Sequence, residues 1–377
     1  MLHRAFVSVV LFAATASFGQ NAPTETLQPA PGAQQAPAVP PASASLGVGD
    51  KAPALSIDKW VKGEPVNEFT KTRIYVVEFW ATWCGPCRKS IPHLTELQGR
   101  YKDKVTVIGV SSQEPKGLSD VEPFVAKQGD KMAYTVAWDD AGKTSKAWMD
   151  AAGQMGIPTA FVVNQDARIA WIGHPMDGLD DVLDRMVTGK FDLDKETAKA
   201  RHRTEIEAKA APLIAKAQES ISNNDPAAAL KVMDDIIALD PEVMGEWAFY
   251  KFQLLAGEMK EYTKAYAFAR KAVDGPLKDN AGVLNALAWM ILDEPGLEKR
   301  DLDLAKAAAA RANDLTGEKD PAIIDTLAKA CFEMGDAQKA IVLQTKAVGL
   351  APEGSLRDEL QKRLDEYQKR AAQDGKN

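Results

Sequence analysis

The run RIYVVEFWA, residues 73–81, most restricts how this chain can fold. It is nearly continuous in β-branched and aromatic residues, the pattern of a central strand covered on both faces. Its one acid, Glu78, would be expensive to bury without a partner. Immediately after it comes TWCGPC, and then CRKSIPHLTELQGRYKDK, with Ile91, Leu94 and Leu97 at helical spacing. A buried strand that feeds directly into a helix predicts an α/β unit with right-handed crossovers and helices on both faces of the sheet.

The neighbouring segments extend this pattern to about Lys190. VTVIGVSS (105–112) and YTVAWDD (134–140) read as strands. TAFVVNQDARIAWIG (159–173) reads as a hairpin turning at residues 164–167. SDVEPFVAKQG (119–129) is expected to be a helix with Ser119 as N-cap and Glu122 completing a capping box. KTSKAWMDAAG (143–153) and LDDVLDRMVTG (179–189) are expected helices.

The chain begins with a short basic start at His3 and Arg4, an apolar run from Ala5 to Ala16, and the A-x-A sequence Ala14-Thr15-Ala16. This is the form of a signal peptide over residues 1–19, cleaved on export. An uncleaved anchor is the alternative, although a membrane span needs about 20 apolar residues. Residues 20–46, rich in Pro, Ala and Gln, have too little apolar surface to offset their ordering entropy and read as a disordered linker. A net charge of −7 over 377 residues argues against nucleic acid and anionic membrane surfaces as main partners.

Three cysteines, Cys84, Cys87 and Cys331, are too few for a disulfide-stapled scaffold. The close pair sits where a strand ends and a helix begins. A thiolate at Cys84 would be stabilised there by free N–H groups and the positive end of the helix dipole. Cys87, three residues on, is within reach for a Cys84–Cys87 disulfide, and Pro86 is tolerated in the first turn. A zinc site is the first alternative, but it requires further ligands, and neither a second C-x-x-C nor an H-x-x-x-H occurs. A structural disulfide is the second, though so short a loop constrains the unfolded chain little. A reactive redox pair is favoured over both. In an oxidising compartment such a pair is either oxidised or kept reduced by a partner.

VEFWATWCGPCRKSIP resembles the active-site segment of thioredoxins. The span from Gly47 to about Lys190 resembles the exported TlpA/ResA-like branch of that superfamily, through the lead-in VGDKAPALSIDKW and the extra strand and helix before GIPTAFVV. The resemblance implies a thioredoxin-like fold with a central mixed sheet, and a thiol–disulfide oxidoreductase. It implies Cys84 as attacking thiol, Cys87 as resolving thiol, and Glu78 as the buried acid that exchanges a proton with Cys87. An edge-facing, solvated glutamate is the alternative for Glu78. Pro158 matches the cis-proline facing the disulfide, with Ile157 offering backbone to an extended substrate, and an ordinary strand-start proline is the alternative. Trp83 is expected to pack around the pair or shield the disulfide, and Pro92 to kink the helix. Two positions depart from the pattern. Ser90 stands where relatives commonly carry an acid, and VTVIGVSS lacks the lysine that thioredoxins often pair with the buried acid.

After Lys190 strand patterns stop and alanines accumulate. Residues 191–377 are expected to form an all-α, tetratricopeptide-like solenoid. In the best repeat, Leu327, Ala328, Gly335, Ala340, Ala347 and Pro352 fall on the repeat spacing, and Ala229, Ala265 and Ala305 share the register of Ala340. The last segment, SLRDELQKRLDEYQKRAAQ, reads as a capping helix with a charged outer face. Cys331 is expected to be a buried structural thiol. The aromatic residues of EWAFYKF and EYTKAYAF read as core, with a peptide groove as the alternative.

The expected function is an exported, most simply periplasmic, thiol–disulfide oxidoreductase that needs no cofactor or metal. It would act on client proteins with disulfides, draw electrons from a donor protein and hold partners on its repeats. The Gly-Pro between the cysteines favours a reductant. A repeat-based scaffold whose thioredoxin-like domain serves binding is the alternative, and a peroxiredoxin fits the WCGPC pattern less well.

Overall fold

The computed structural model describes residues 45–374. The expected signal peptide and all but the last two residues of the expected linker lie outside them. Among the described residues no helix is long and apolar enough to cross a membrane. The chain divides into two compact units, with the division at Glu205/Ile206. That position is inside a helix, some way beyond the change in composition near Lys190.

The first unit is built on a six-stranded mixed sheet. Its strands are β1 (Lys59–Lys62), β2 (Ile74–Trp80), β3 (Val105–Ser111), β4 (Thr135–Trp138), β5 (Thr159–Val163) and β6 (Ile169–Gly173), in the order β1-β4-β3-β2-β5-β6. β2 pairs in parallel with β3 and antiparallel with β5, so it is central, and all seven of its residues are buried. β1 was not expected. Its four residues, KWVK, are too short and too charged to stand out, and an edge strand needs no more. The β5–β6 turn falls where expected, with the Asn164 side chain accepting from the N–H groups of Asp166 and Arg168.

Alternation along β2 separates two cores. Ile74, Val76 and Trp80 pack with Ile91, Leu94 and Leu97 of helix α1 (Gly85–Arg100), Val121 and Val125 of α2 (Leu118–Gln128), and Leu179 and Leu183 of α4 (Leu179–Val187). Tyr75, Val77 and Phe79 pack on the other face with Phe161 and Trp148. Trp148 meets Phe161 edge to face, with ring centroids 5.3 Å apart. Helical cover on both faces thus agrees with the expected architecture.

Two expected helices differ in detail. α2 begins at Leu118 after Gly117, so Ser119 lies inside the first turn and is not the N-cap. Its hydroxyl donates to the Lys116 carbonyl, and Glu122 pairs with Lys59 instead of closing a capping box. The segment from Lys143 starts as a three-residue α3 (Lys143–Ser145) and widens into a π-turn over Lys146–Asp150.

The remaining helices are α5 (Leu193–Ser222), α6 (Pro226–Leu239), α7 (Trp247–Gln253), α8 (Tyr262–Asp274), α9 (Ala281–Asp293), α10 (Leu302–Leu315), α11 (Pro321–Glu333), α12 (Ala337–Leu350) and α13 (Ser355–Asp374). Side-chain caps set several starts: Asp225, Asn280, Asp301, Asp320 and Asp336 each accept a backbone N–H from the first turn. Ala229, Ala265, Ala305 and Ala340 are each the fourth residue of their helix and fully buried. A methyl side chain at that point lets neighbouring helices approach closely. Trp247, Phe252 and Tyr262 are buried, in keeping with the core reading of the aromatic segments. Cys331 is free and fully buried, and desolvation pushes its thiol pKa up. α13 buries Leu360, Leu364 and Tyr367 and leaves most of its charged side chains exposed.

Candidate active site

The candidate site lies at the junction of β2 and α1. Cys84 is the N-cap of α1, and its sulfur accepts the N–H of Cys87 at 3.1 Å. That N–H is one of the donors a helix start leaves unpaired, so the first turn is already directed at the Cys84 sulfur. Cys84 and Cys87 form a disulfide. Both cysteines are buried, Cys84 retaining 4% of its surface and Cys87 none. Pro86 occupies the first turn, and α1 continues through Pro92 to Arg100.

Of the three further predicted residues, Ile157 meets the Cys84 sulfur, and Trp83 turns toward Gln113 and solvent. Trp83 is 54% exposed, and its indole N–H donates to the Gln113 carbonyl at 2.7 Å. The Ile157–Pro158 peptide is cis. The Ile157 carbonyl oxygen lies 3.7 Å from the Cys84 sulfur. A disulfide sulfur has no hydrogen to donate, so this is a contact that becomes a possible S–H···O bond only after reduction.

Glu78 is fully buried, which removes the solvated alternative. By the alternation of β2 it points to the face that α1 and Cys87 cover. Neither of its carboxyl oxygens has a hydrogen-bonding partner among the described residues. Desolvation therefore favours the protonated form and pushes its pKa up to about 8. No lysine is opposite. The register partner on β3 is Gly109, where a Cβ would come within 3.0 Å of the Trp80 indole nitrogen and 3.1 Å of the Tyr134 ring. The space that a side chain at 109 would take beside Glu78 is filled by those two aromatic rings. Burial and the charge of Glu78 raise the pKa of Tyr134 well above the ordinary tyrosine value.

Ser90 is also fully buried and donates to the Cys87 carbonyl at 2.9 Å. Among the described residues no three His, Cys, Asp or Glu side chains converge as a metal-ligand set.

One group near the site had no signal in the sequence pattern. Glu114, three residues past the end of β3, accepts from the Thr82 N–H at 2.6 Å, the Thr82 hydroxyl at 2.7 Å and the Ser111 hydroxyl at 3.1 Å. Only the pairing of β2 with β3, which sets Trp80 beside Ser111, brings these segments together.

Comparison with known proteins agrees with this geometry. The model of the AhpC/TSA family matches residues 48–172. Protein FixW of Rhizobium leguminosarum is 30% identical over 155 residues, which cover 40% of this chain and 70% of FixW. The thiol-disulfide oxidoreductase ResA of Bacillus thuringiensis subsp. konkukian is 32% identical over 126 residues, 33% of this chain and 68% of ResA. The chain belongs to the ResA-like thiol-disulfide oxidoreductases. Among solved structures, StoA from Bacillus subtilis is 23% identical, with a TM-score of 0.27 over 32% of this chain and 90% of StoA. As a ResA-like enzyme, the chain has thiol–disulfide exchange as its chemistry. The AhpC/TSA match ends at residue 172, so it leaves the helical unit undescribed.

Proposed function

We propose that the protein is an exported reductant of client-protein disulfides, with Cys84 as nucleophile and Cys87 as resolving thiol. The observation that carries this assignment is the placement of the pair: Cys84 is the N-cap of α1, its sulfur accepting the Cys87 N–H, and it keeps 4% of its surface where Cys87 keeps none. In the dithiol form, the Cys84 thiolate attacks one sulfur of a client disulfide and releases the other as a thiol. Cys87 then loses its proton and attacks Cys84 in the mixed disulfide. The client leaves as a dithiol, and the enzyme is left with the Cys84–Cys87 disulfide. Two electrons and two protons pass to the client, and a donor dithiol must restore the enzyme.

Glu78 is the candidate acceptor of the Cys87 proton. Its pKa of about 8 lies close to that of an ordinary thiol, about 8.5, so the proton can pass either way at little cost. Trp83 offers an exposed aromatic face beside the nucleophile. The backbone of Ile157, ahead of Pro158, offers polar groups to an extended client segment. The Gly-Pro between the cysteines supports the direction toward reduction, and the N-terminal apolar segment supports export. The shared register of Ala229, Ala265, Ala305 and Ala340 supports a tetratricopeptide-like unit that recruits a protein partner.

The test is reduction of a model protein disulfide by the purified chain, with dithiol supplied. Cys84→Ser is expected to abolish turnover, and Cys87→Ser to accumulate mixed disulfides with clients. Equal turnover by wild type and Cys84→Ser would refute the assignment.

A further inference from the structure

Residues 81–83 link β2 to α1 and belong to neither, so their polar groups must find partners outside the regular ladders. Cys84 N–H turns back to the Ala81 carbonyl at 3.2 Å. The remaining ties run to one short segment after β3. Glu114 takes both the N–H and the hydroxyl of Thr82, and the Gln113 carbonyl takes the Trp83 indole N–H. With the Ser111 hydroxyl, Glu114 accepts three donors and gives none, the pattern of an ionised carboxylate. Such charge-assisted bonds are about twice as strong as neutral ones.

The placement has two consequences. Thr82 and Trp83 immediately precede Cys84, so anchoring them fixes where the Cys84 sulfur and the Trp83 ring sit. The anchor is also a negative charge bound two residues from Cys84. It opposes the partial positive charge of the α1 N-terminus and makes a thiolate at Cys84 less favourable. A less stable thiolate destabilises the dithiol relative to the disulfide, which makes the couple more reducing.

We propose that Glu114 is a positioning residue that anchors the Thr82–Trp83 approach to Cys84 and, through its charge, keeps the Cys84–Cys87 couple reducing. This rests on the assignment of Cys84 as nucleophile in the function proposed above. The mechanism there draws on Glu78, and Glu114 acts on the opposite partner of the couple, from outside the sheet.

The test is equilibration of the full-length protein with glutathione redox buffer, together with the rate of Cys84 alkylation by iodoacetamide at pH 7. Glu114→Gln keeps the shape and can still bond Thr82, with the hydroxyl now accepting from the amide, so it isolates the charge. It is expected to shift the dithiol–disulfide equilibrium toward the dithiol by up to about two- to fivefold, the size of effect usual for a charge near a helix end, and to speed alkylation. Glu114→Asp keeps the charge and should leave the equilibrium near that of wild type. Thr82→Val removes one anchor and keeps the charge, so it should alter Trp83 fluorescence without moving the equilibrium. An unchanged equilibrium in Glu114→Gln, or an equal shift in Glu114→Asp, overturns the proposal. Both readouts need no client. If Cys84→Ser still reduces client disulfides, the functional assignment fails; if it is inactive while Glu114→Gln behaves as wild type, only the role of Glu114 fails.

Discussion

Replacing Glu78 with glutamine should change how the stability of the oxidised protein responds to pH. The native carboxyl titrates at about 8, against 4.5 for an unperturbed glutamate, because burial disfavours its charged form. Between those values the folded protein holds a proton that the unfolded chain has released. The stabilisation is therefore complete below pH 4.5 and is lost as pH rises through about 8. The loss amounts to ~1.4 kcal/mol for each pH unit inside the window and approaches ~5 kcal/mol across it. That is a large share of the ~5–15 kcal/mol by which a typical domain is stable. Glu78→Gln is close in size and cannot titrate. Urea denaturation at pH 5, 6, 7 and 8, followed by far-UV circular dichroism, should show the variant gaining on wild type at each step. Loss of other titrating groups cancels in the difference between the two proteins. Parallel curves, with a slope difference below ~0.3 kcal/mol per pH unit, would refute the conclusion that Glu78 is buried as the neutral acid.

Other expectations follow from single contacts. Gly109→Ala would place a methyl 3.0 Å from the Trp80 indole nitrogen and 3.1 Å from the Tyr134 ring. It should cost ~1–3 kcal/mol by overpacking, measured by denaturation, and a neutral result would mean the rings move aside freely. Arg363→Ala leaves Asp325, which is 6% exposed, without its ion-pair partner and with only the Gln344 amide. It should destabilise the α11–α13 end by ~3 kcal/mol and make it sensitive to limited proteolysis, whereas unchanged cleavage would show that Asp325 is satisfied without the pair. Asp320→Ala removes an acceptor for the N–H groups of Ala322 and Ile323 and should cost ~1 kcal/mol of unfolding free energy.

What the sequence conveyed depended on the range of the interaction. β2 was legible because seven consecutive buried positions leave a local pattern, and the reactive pair because a helix start gives Cys84 its setting from adjacent residues. The hairpin turn was legible through Asn164, which bonds residues two and four positions on. Glu78 was visible as an anomaly, but its burial and the aromatic rings beside it depend on β3 and β4 lying next to one another. Glu114 is 32 residues from Thr82 and stands in a polar loop, so nothing local marks it. Ser119 misled because it has the chemistry of a cap, and the backbone sets the cap two residues earlier, at Gly117. In the helical unit, the alanine register was readable because close packing demands a small side chain at the same helical position each time.

The burial of Cys331 has a consequence for oxidation of the whole chain. Three sulfurs allow three different pairings, and two of them require Cys331. Once the core around α11 has closed, that sulfur is withdrawn from every oxidant and every neighbouring thiol. The folded enzyme then has a single possible intramolecular disulfide, Cys84–Cys87, so in the absence of clients counting accessible thiols in the native protein gives the redox state of that pair. A protein whose task is to exchange disulfides with others is thereby kept from scrambling its own.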